Sequence, residues 1–69
     1  MGVSYKKLFK ILIDRNMKKK DLQKLAELSP STMAKLSKDE YVRMEVIVKI
    51  CSKLKVDVGD IMEIVDISA

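Results

Sequence analysis

Residues 19–36 read KKDLQKLAELSPSTMAKL, and this stretch decides the fold. Apolar residues recur at helical spacing as far as Leu28. Ser29 and Pro30 then begin a second helix, because serine caps helix N-termini and proline fits the first helical position. Two short helices joined by three or four residues cross steeply, which is the helix-turn-helix unit. The sequence therefore predicts such a motif at about residues 19–37. The apolar residues expected to lock its helices together are Leu22, Ala26, Leu28, Met33 and Leu36.

The rest of the chain carries the same apolar spacing and predicts three further helices, at about residues 4–16, 43–54 and 58–64. Ser4 is the expected N-cap of the first, and Asn16 is its expected left-handed C-cap. We therefore expect an all-α chain of five short helices. Its 69 residues form a single domain, because chains of this length rarely divide.

Composition removes several classes of function. The chain has no histidine and one cysteine, which excludes zinc sites built from Cys and His clusters, histidine-assisted catalysis and an internal disulfide. We therefore expect no enzyme activity, no cofactor and no metal site, and Cys51 reads as a core thiol. No apolar run is long enough to span a membrane, and no signal peptide is recognisable, so the cytoplasm is the expected compartment. No small-molecule pocket is expected in so short a chain.

Charge is divided unequally along the sequence. Residues 1–38 hold ten basic and three acidic residues, a net charge of +7, whereas residues 39–69 carry a net charge of −3. One basic half in a small domain favours a polyanionic partner, although lysine-rich surfaces also serve solubility.

The outward positions of the motif are polar or small, as a surface that enters the DNA major groove requires. On the second helix these positions are Ser31, Thr32 and Lys35. Lys19 and Lys20 lie on the exposed side of the first helix, where they can meet phosphates. The alternative is that these lysines form an ordinary solvated face.

Four segments give the chain its likeness to a known family: Leu22–Ala26 (LQKLA), Leu28–Leu36 (LSPSTMAKL), Ile50–Val56 (ICSKLKV) and Gly59–Ile64 (GDIMEI). With these segments the chain resembles a Cro/CI-type helix-turn-helix repressor domain of the XRE-like family, over about residues 4–64. The two ends of the match, Tyr5–Phe9 (YKKLF) and Gly59–Ile64, resemble a small single-domain bacterial branch of that family.

The resemblance implies a lambda-repressor-like fold that binds double-stranded operator DNA, usually as a homodimer. It assigns base reading to the start of the second motif helix, and backbone contacts to the start of the first motif helix and to the loop after the second. The implied base-reading residues are Pro30, Ser31, Thr32 and Lys35. The implied backbone-contacting residues are Lys19, Lys20, Ser29, Lys38, Tyr41 and Arg43.

The chain departs from the family pattern at three positions. Glu27 stands in the tight turn where glycine is frequent, Gln23 replaces a small residue, and Pro30 replaces a polar base-reading side chain. These departures leave the fold in place but affect the details of specificity.

Two functions follow from these observations. The first is a sequence-specific transcriptional regulator, a repressor that binds a palindromic operator as a homodimer. The alternative is a protein-interaction module, such as an antitoxin or an antirepressor, that keeps the helix-turn-helix fold. In either case the apolar residues near the C-terminus are the expected dimer contact: Ile61, Ile64, Val65 and Ile67.

Overall fold

The computed structural model describes residues 2–66, and within them the chain forms five helices and two short strands. In chain order the elements are β1 (Gly2–Ser4), α1 (Lys6–Asp14), α2 (Lys19–Leu25), α3 (Pro30–Ser37), α4 (Met44–Leu54), α5 (Val58–Ile61) and β2 (Glu63–Val65). The predicted five-helix fold and its helix-turn-helix motif are confirmed. The small sheet was not predicted.

Every helix contributes to one hydrophobic core. Fully buried side chains come from each helix in turn: Leu8 from α1, Leu22 from α2, Leu36 from α3, Ile50 from α4 and Ile61 from α5. All five residues expected to lock the motif together are buried, which confirms that prediction. The core therefore fixes α2 and α3 against the rest of the domain.

The two strands join the ends of the described chain. β1 pairs with β2 in antiparallel register, with Val3 opposite Ile64. The predicted first and last helices were therefore too long, since Ser4 lies in β1 and α5 ends at Ile61. Ser4 is not the N-cap of α1, because Tyr5 takes that position. The pairing of segments about 60 residues apart has no local sequence signature, which is why it was missed.

The expected dimer contact is only partly accessible. Ile61 is fully buried in the core, so including it in a surface contact was wrong. Ile64 is 64% exposed and Val65 is half-buried, and both belong to β2. Ile67 lies outside the described residues.

Four helices end in a left-handed residue, and among residues 2–66 no glycine takes such a position. The residues are Asn16, Glu27, Asp39 and Lys55, each with φ between 54° and 57°. At the end of α2 the Glu27 N–H donates to the carbonyl of Lys24 (3.3 Å) and the Leu28 N–H to the carbonyl of Gln23 (2.9 Å). This pair of bonds is the Schellman motif. Glutamate thus takes up the backbone geometry that glycine favours, and the turn of the motif keeps its ordinary form.

Candidate nucleic-acid interface

The start of α3 is fixed by its own side chains. The Ser29 Oγ accepts a hydrogen bond from the Thr32 N–H (3.2 Å), and Pro30 occupies the first helical position, as predicted. The same Oγ lies 2.9 Å from Thr32 Oγ1 and 3.1 Å from Ser31 Oγ. The three hydroxyl groups form one cluster. Within it, the Ser29 Oγ accepts from an N–H of the first helical turn that has no partner within the helix.

α3 has one buried side and one exposed side. Met33 and Leu36 face the core and are buried. Of the four predicted base-reading residues, Ser31 and Lys35 lie on the opposite side and are exposed. Pro30, at the start of the helix, is also exposed, and Thr32 lies at the edge of the buried side and is half-buried. The solvent-facing side of α3 therefore carries mostly small and polar side chains.

Lys19 begins α2 and makes contacts within the domain. Its Nζ donates to Ser37 Oγ at the end of α3 (3.2 Å) and lies 5.0 Å from the centre of the Phe9 ring on α1. This ammonium therefore bridges three helices, through a hydrogen bond and a cation–π contact. The neighbouring Lys20 is exposed.

The loop between α3 and α4 carries the remaining predicted backbone contacts. Lys38 is exposed at the C-terminus of α3, Tyr41 is 69% exposed, and Arg43 directly precedes α4. The Arg43 Nη1 lies 3.7 Å from Glu45 Oε1. Both side chains are mostly exposed, so solvent screens this pair and leaves the guanidinium able to exchange partners.

A shallow depression connects α3 with the start of α4. Its volume is about 210 Å³, and it is lined by Thr32, Lys35, Val42, Arg43, Glu45 and Val46. Two predicted base-reading residues therefore meet a predicted backbone contact along one surface. The other seven candidates do not line this depression: Lys19, Lys20, Ser29, Pro30, Ser31, Lys38 and Tyr41.

Comparison with known proteins identifies the domain. Residues 7–66 match the Cro/C1-type HTH DNA-binding domain. The chain belongs to this family. It is also similar to the crystal structure of the transcriptional regulator VanUg, with 52% sequence identity and a TM-score of 0.88, over 90% of this chain and 83% of that one. No curated protein gave a match.

Membership of a DNA-binding family agrees with the expectation that this Cro/C1-type domain is not an enzyme. It also makes double-stranded DNA the partner of the domain. Within residues 2–66, no helix is both long and apolar enough to cross a membrane.

The buried Tyr5 of this Cro/C1-type domain contacts the loop between α3 and α4. It occupies the N-cap position of α1. Its hydroxyl donates to the Glu40 carbonyl (2.7 Å) and its N–H donates to Asp39 Oδ1 (2.9 Å), both in the α3–α4 loop. Burial raises the pKa of its phenol above the usual value of 10.0, and the charge of the nearby Asp39 carboxylate adds to the rise. Nothing in the local sequence shows a partner 35 residues away.

Proposed function

We propose that this domain is a transcriptional regulator that recognises a specific DNA sequence by placing α3 in the major groove. The observation that carries the proposal is the two-sided character of α3: Met33 and Leu36 hold it in the core, while Ser31 and Lys35 face solvent. A helix held in this way can insert its outer side into a groove without disturbing the fold. The likeness to VanUg, a transcriptional regulator, supports the regulatory role.

Base reading rests on few side chains. Lys35 donates to the O6 and N7 acceptors of guanine, which are displayed in the major groove. The hydroxyl groups of Ser31 and Thr32 can donate and accept, so they can serve base edges or nearby phosphates. Pro30 has no donor and contributes only van der Waals contact. Lys35 is therefore the residue on which sequence preference depends most.

The backbone contacts supply affinity rather than preference. Lys20, Lys38 and Arg43 are exposed cations around α3, and Ser29 and Tyr41 add hydroxyl groups. Neutralising phosphates releases counterions, so binding weakens as salt rises. Lys19 mainly stabilises the packing of the helices through its contacts with Ser37 and Phe9. Its ammonium has three N–H groups, so it can also donate to a phosphate.

We place the regulator on DNA as a homodimer that represses by blocking access to its site. A single motif reads only a few base pairs, whereas two motifs about 34 Å apart read successive major grooves of a palindrome. Ile64 supports β2 as the contact, because it is an exposed large apolar side chain on a strand with no second neighbour among residues 2–66. Light scattering should give twice the 7.9 kDa chain mass, and Ile64→Asp should give a monomer.

A gel-shift series with random and selected duplexes tests the roles. We expect Lys20→Glu to weaken binding to all sequences alike, and Lys35→Ala to change the preferred sequence, because phosphate contacts position and base contacts specify. Lys53→Glu, a matched charge reversal in the last turn of α4, should have less effect. Unaltered binding by both Lys20→Glu and Lys35→Ala would refute the assigned roles. Failure of the unmodified protein to retard any duplex at moderate salt would favour the protein-interaction module instead.

A further inference from the structure

We propose that Tyr5 is a positioning residue for DNA binding: it holds the α3–α4 loop in the shape that presents Lys38 and Arg43 to phosphates. The proposal rests on the proposed function and adds a residue that lies in the core, far along the chain from the motif. Tyr5 itself is 1% exposed, so it acts through the loop and not by touching DNA.

Two hydrogen bonds tie Tyr5 to successive loop residues. The phenol hydroxyl donates to the Glu40 carbonyl at 2.7 Å, and the backbone N–H donates to Asp39 Oδ1 at 2.9 Å. A buried hydroxyl without a partner is unfavourable, because it loses water and gains nothing in exchange. The loop carbonyl is therefore the partner that lets the phenol ring remain in the core.

The opposite side of the loop is tied to the end of α3. The Asp39 N–H donates to the Leu36 carbonyl (3.3 Å) and the Glu40 N–H to the Lys35 carbonyl (2.9 Å), while Asp39 adopts a left-handed conformation with φ 56°. The loop backbone at residues 39–40 is thus fixed from two directions, by α3 and by Tyr5. Lys38 lies at the start of this fixed segment.

The fixed segment leads directly into α4. Val42 follows two residues after Glu40 and is half-buried against the core. Arg43 comes next and occupies the N-cap position of α4. Lys38 and Arg43 therefore lie on either side of a backbone segment that Tyr5 anchors.

A loop held in its bound shape before DNA arrives avoids the ordering cost that a flexible loop meets on binding. Removing one hydrogen bond to the loop should therefore weaken DNA binding by about five-fold, the effect of a typical net hydrogen bond. The plot of log K against log salt should also become less steep, by about one unit of slope, because a loop phosphate contact is lost. Sequence preference, which depends on α3, should not change.

The test uses Tyr5→Phe, which keeps the ring in the core and removes only the hydroxyl. Affinity for one selected duplex is measured across a range of salt concentrations, together with the denaturant midpoint of the free protein. Ile61→Val is the matched control, since it weakens the core at a fully buried residue of α5 outside the loop. We expect the dependence of log K on log salt to become less steep for Tyr5→Phe and to keep its original steepness for Ile61→Val.

Each other result overturns the proposal. If Tyr5→Phe binds with the unmodified affinity and slope, Tyr5 does not position the loop, although the proposed function stands. If both variants lose affinity with an unchanged slope, Tyr5 has only a structural role. If the unmodified protein binds no duplex, the proposed function fails and the proposal fails with it.

A second pair of variants covers the case in which Tyr5→Phe does not fold. Asp39→Gly removes the acceptor of the Tyr5 N–H and suits the left-handed backbone, whereas Asp39→Asn removes the charge and keeps an acceptor oxygen. The proposal is supported if log K depends less steeply on log salt for the glycine variant than for the asparagine variant. Equal steepness for the two variants overturns it.

Discussion

Replacing Glu27 by glycine should stabilise the domain. Glu27 has φ 54°, in the left-handed region, and it sits in the turn between the two helices of the motif. Its side chain is exposed, and its backbone N–H bonds to the Lys24 carbonyl whatever side chain it carries. Glu27→Gly therefore changes the conformational strain at this position and leaves the hydrogen bonds of the turn in place.

The magnitude follows from two opposing terms. A residue with a Cβ pays roughly 1–2 kcal/mol to adopt the left-handed conformation. Glycine avoids this strain but loses roughly 0.5–1 kcal/mol more conformational entropy on folding. The expected net gain is about 0.5–1 kcal/mol. At about 4–8 °C per kcal/mol for a domain of this size, the melting temperature should rise by about 2–8 °C.

Urea unfolding followed by circular dichroism measures this gain, with thermal unfolding as a second readout. Glu27→Gln is the control for the lost charge, because it keeps the Cβ and therefore the strain. Ala34→Gly is the control for glycine itself, since Ala34 is an exposed position within α3 and should lose about 1 kcal/mol. A glycine variant at position 27 no more stable than Glu27→Gln would refute the argument from backbone strain.

Three further predictions follow from the core, the α3 cap and the free thiol. Leu36→Ala removes a fully buried side chain from the inner side of α3, so denaturant unfolding should show a loss of about 2–5 kcal/mol; a loss below 1 kcal/mol would mean that α3 is not held by the core. Ser29→Ala should cost about 1 kcal/mol through the lost N-cap, whereas Ser31→Ala, on the neighbouring hydroxyl, should cost less than half as much; equal losses would contradict the cap. Burial, and then the nearby carboxylate of Asp57, raises the pKa of the Cys51 thiol above its usual 9.0, so at pH 8 it should react with an alkylating reagent more slowly than free cysteine and speed up as the pH rises; an equal rate at pH 8 would contradict this environment.

The sequence was sufficient to predict the motif because its signals are local. Ser29 and Pro30 mark a helix start through one side-chain oxygen and one fixed φ angle, and the structure has both at the expected positions. The spacing of Leu22 and Leu36 with their apolar neighbours identifies the buried sides of α2 and α3. These features need only a few consecutive residues, so a single sequence contains them.

The features that were missed depend on contacts between distant segments. β1 and β2 are three residues each, too short for a period to be visible, and each is stabilised by the other. The left-handed residues Glu27 and Lys55 carry no glycine signal. Asn16 has the predicted left-handed conformation, although Arg15 takes the C-cap position of α1. Tyr5 has helical spacing, but its position before α1 and its loop partner follow from the folded chain.

The sequence predicts which helix of the candidate interface is exposed and which of its residues face outward. It does not predict the individual side-chain contacts. The exposed positions of Ser31 and Lys35 on α3 agree with helical periodicity. The contacts of Lys19 do not follow from the sequence, because Ser37 and Phe9 reach it from two other helices. The sequence predicts Lys19 only as an exposed lysine, but in the structure its side chain also contributes to the packing of the motif.

An NMR titration tests the central claim most directly. The amide spectrum of the protein is recorded as a duplex obtained by binding-site selection is added. If α3 enters the major groove, the largest shifts should fall on residues 29–35 and on the loop at 38–43, with smaller ones at the start of α2. Shifts confined to α5 and β2, or no shifts at all, would contradict the claim that the exposed side of α3 reads DNA.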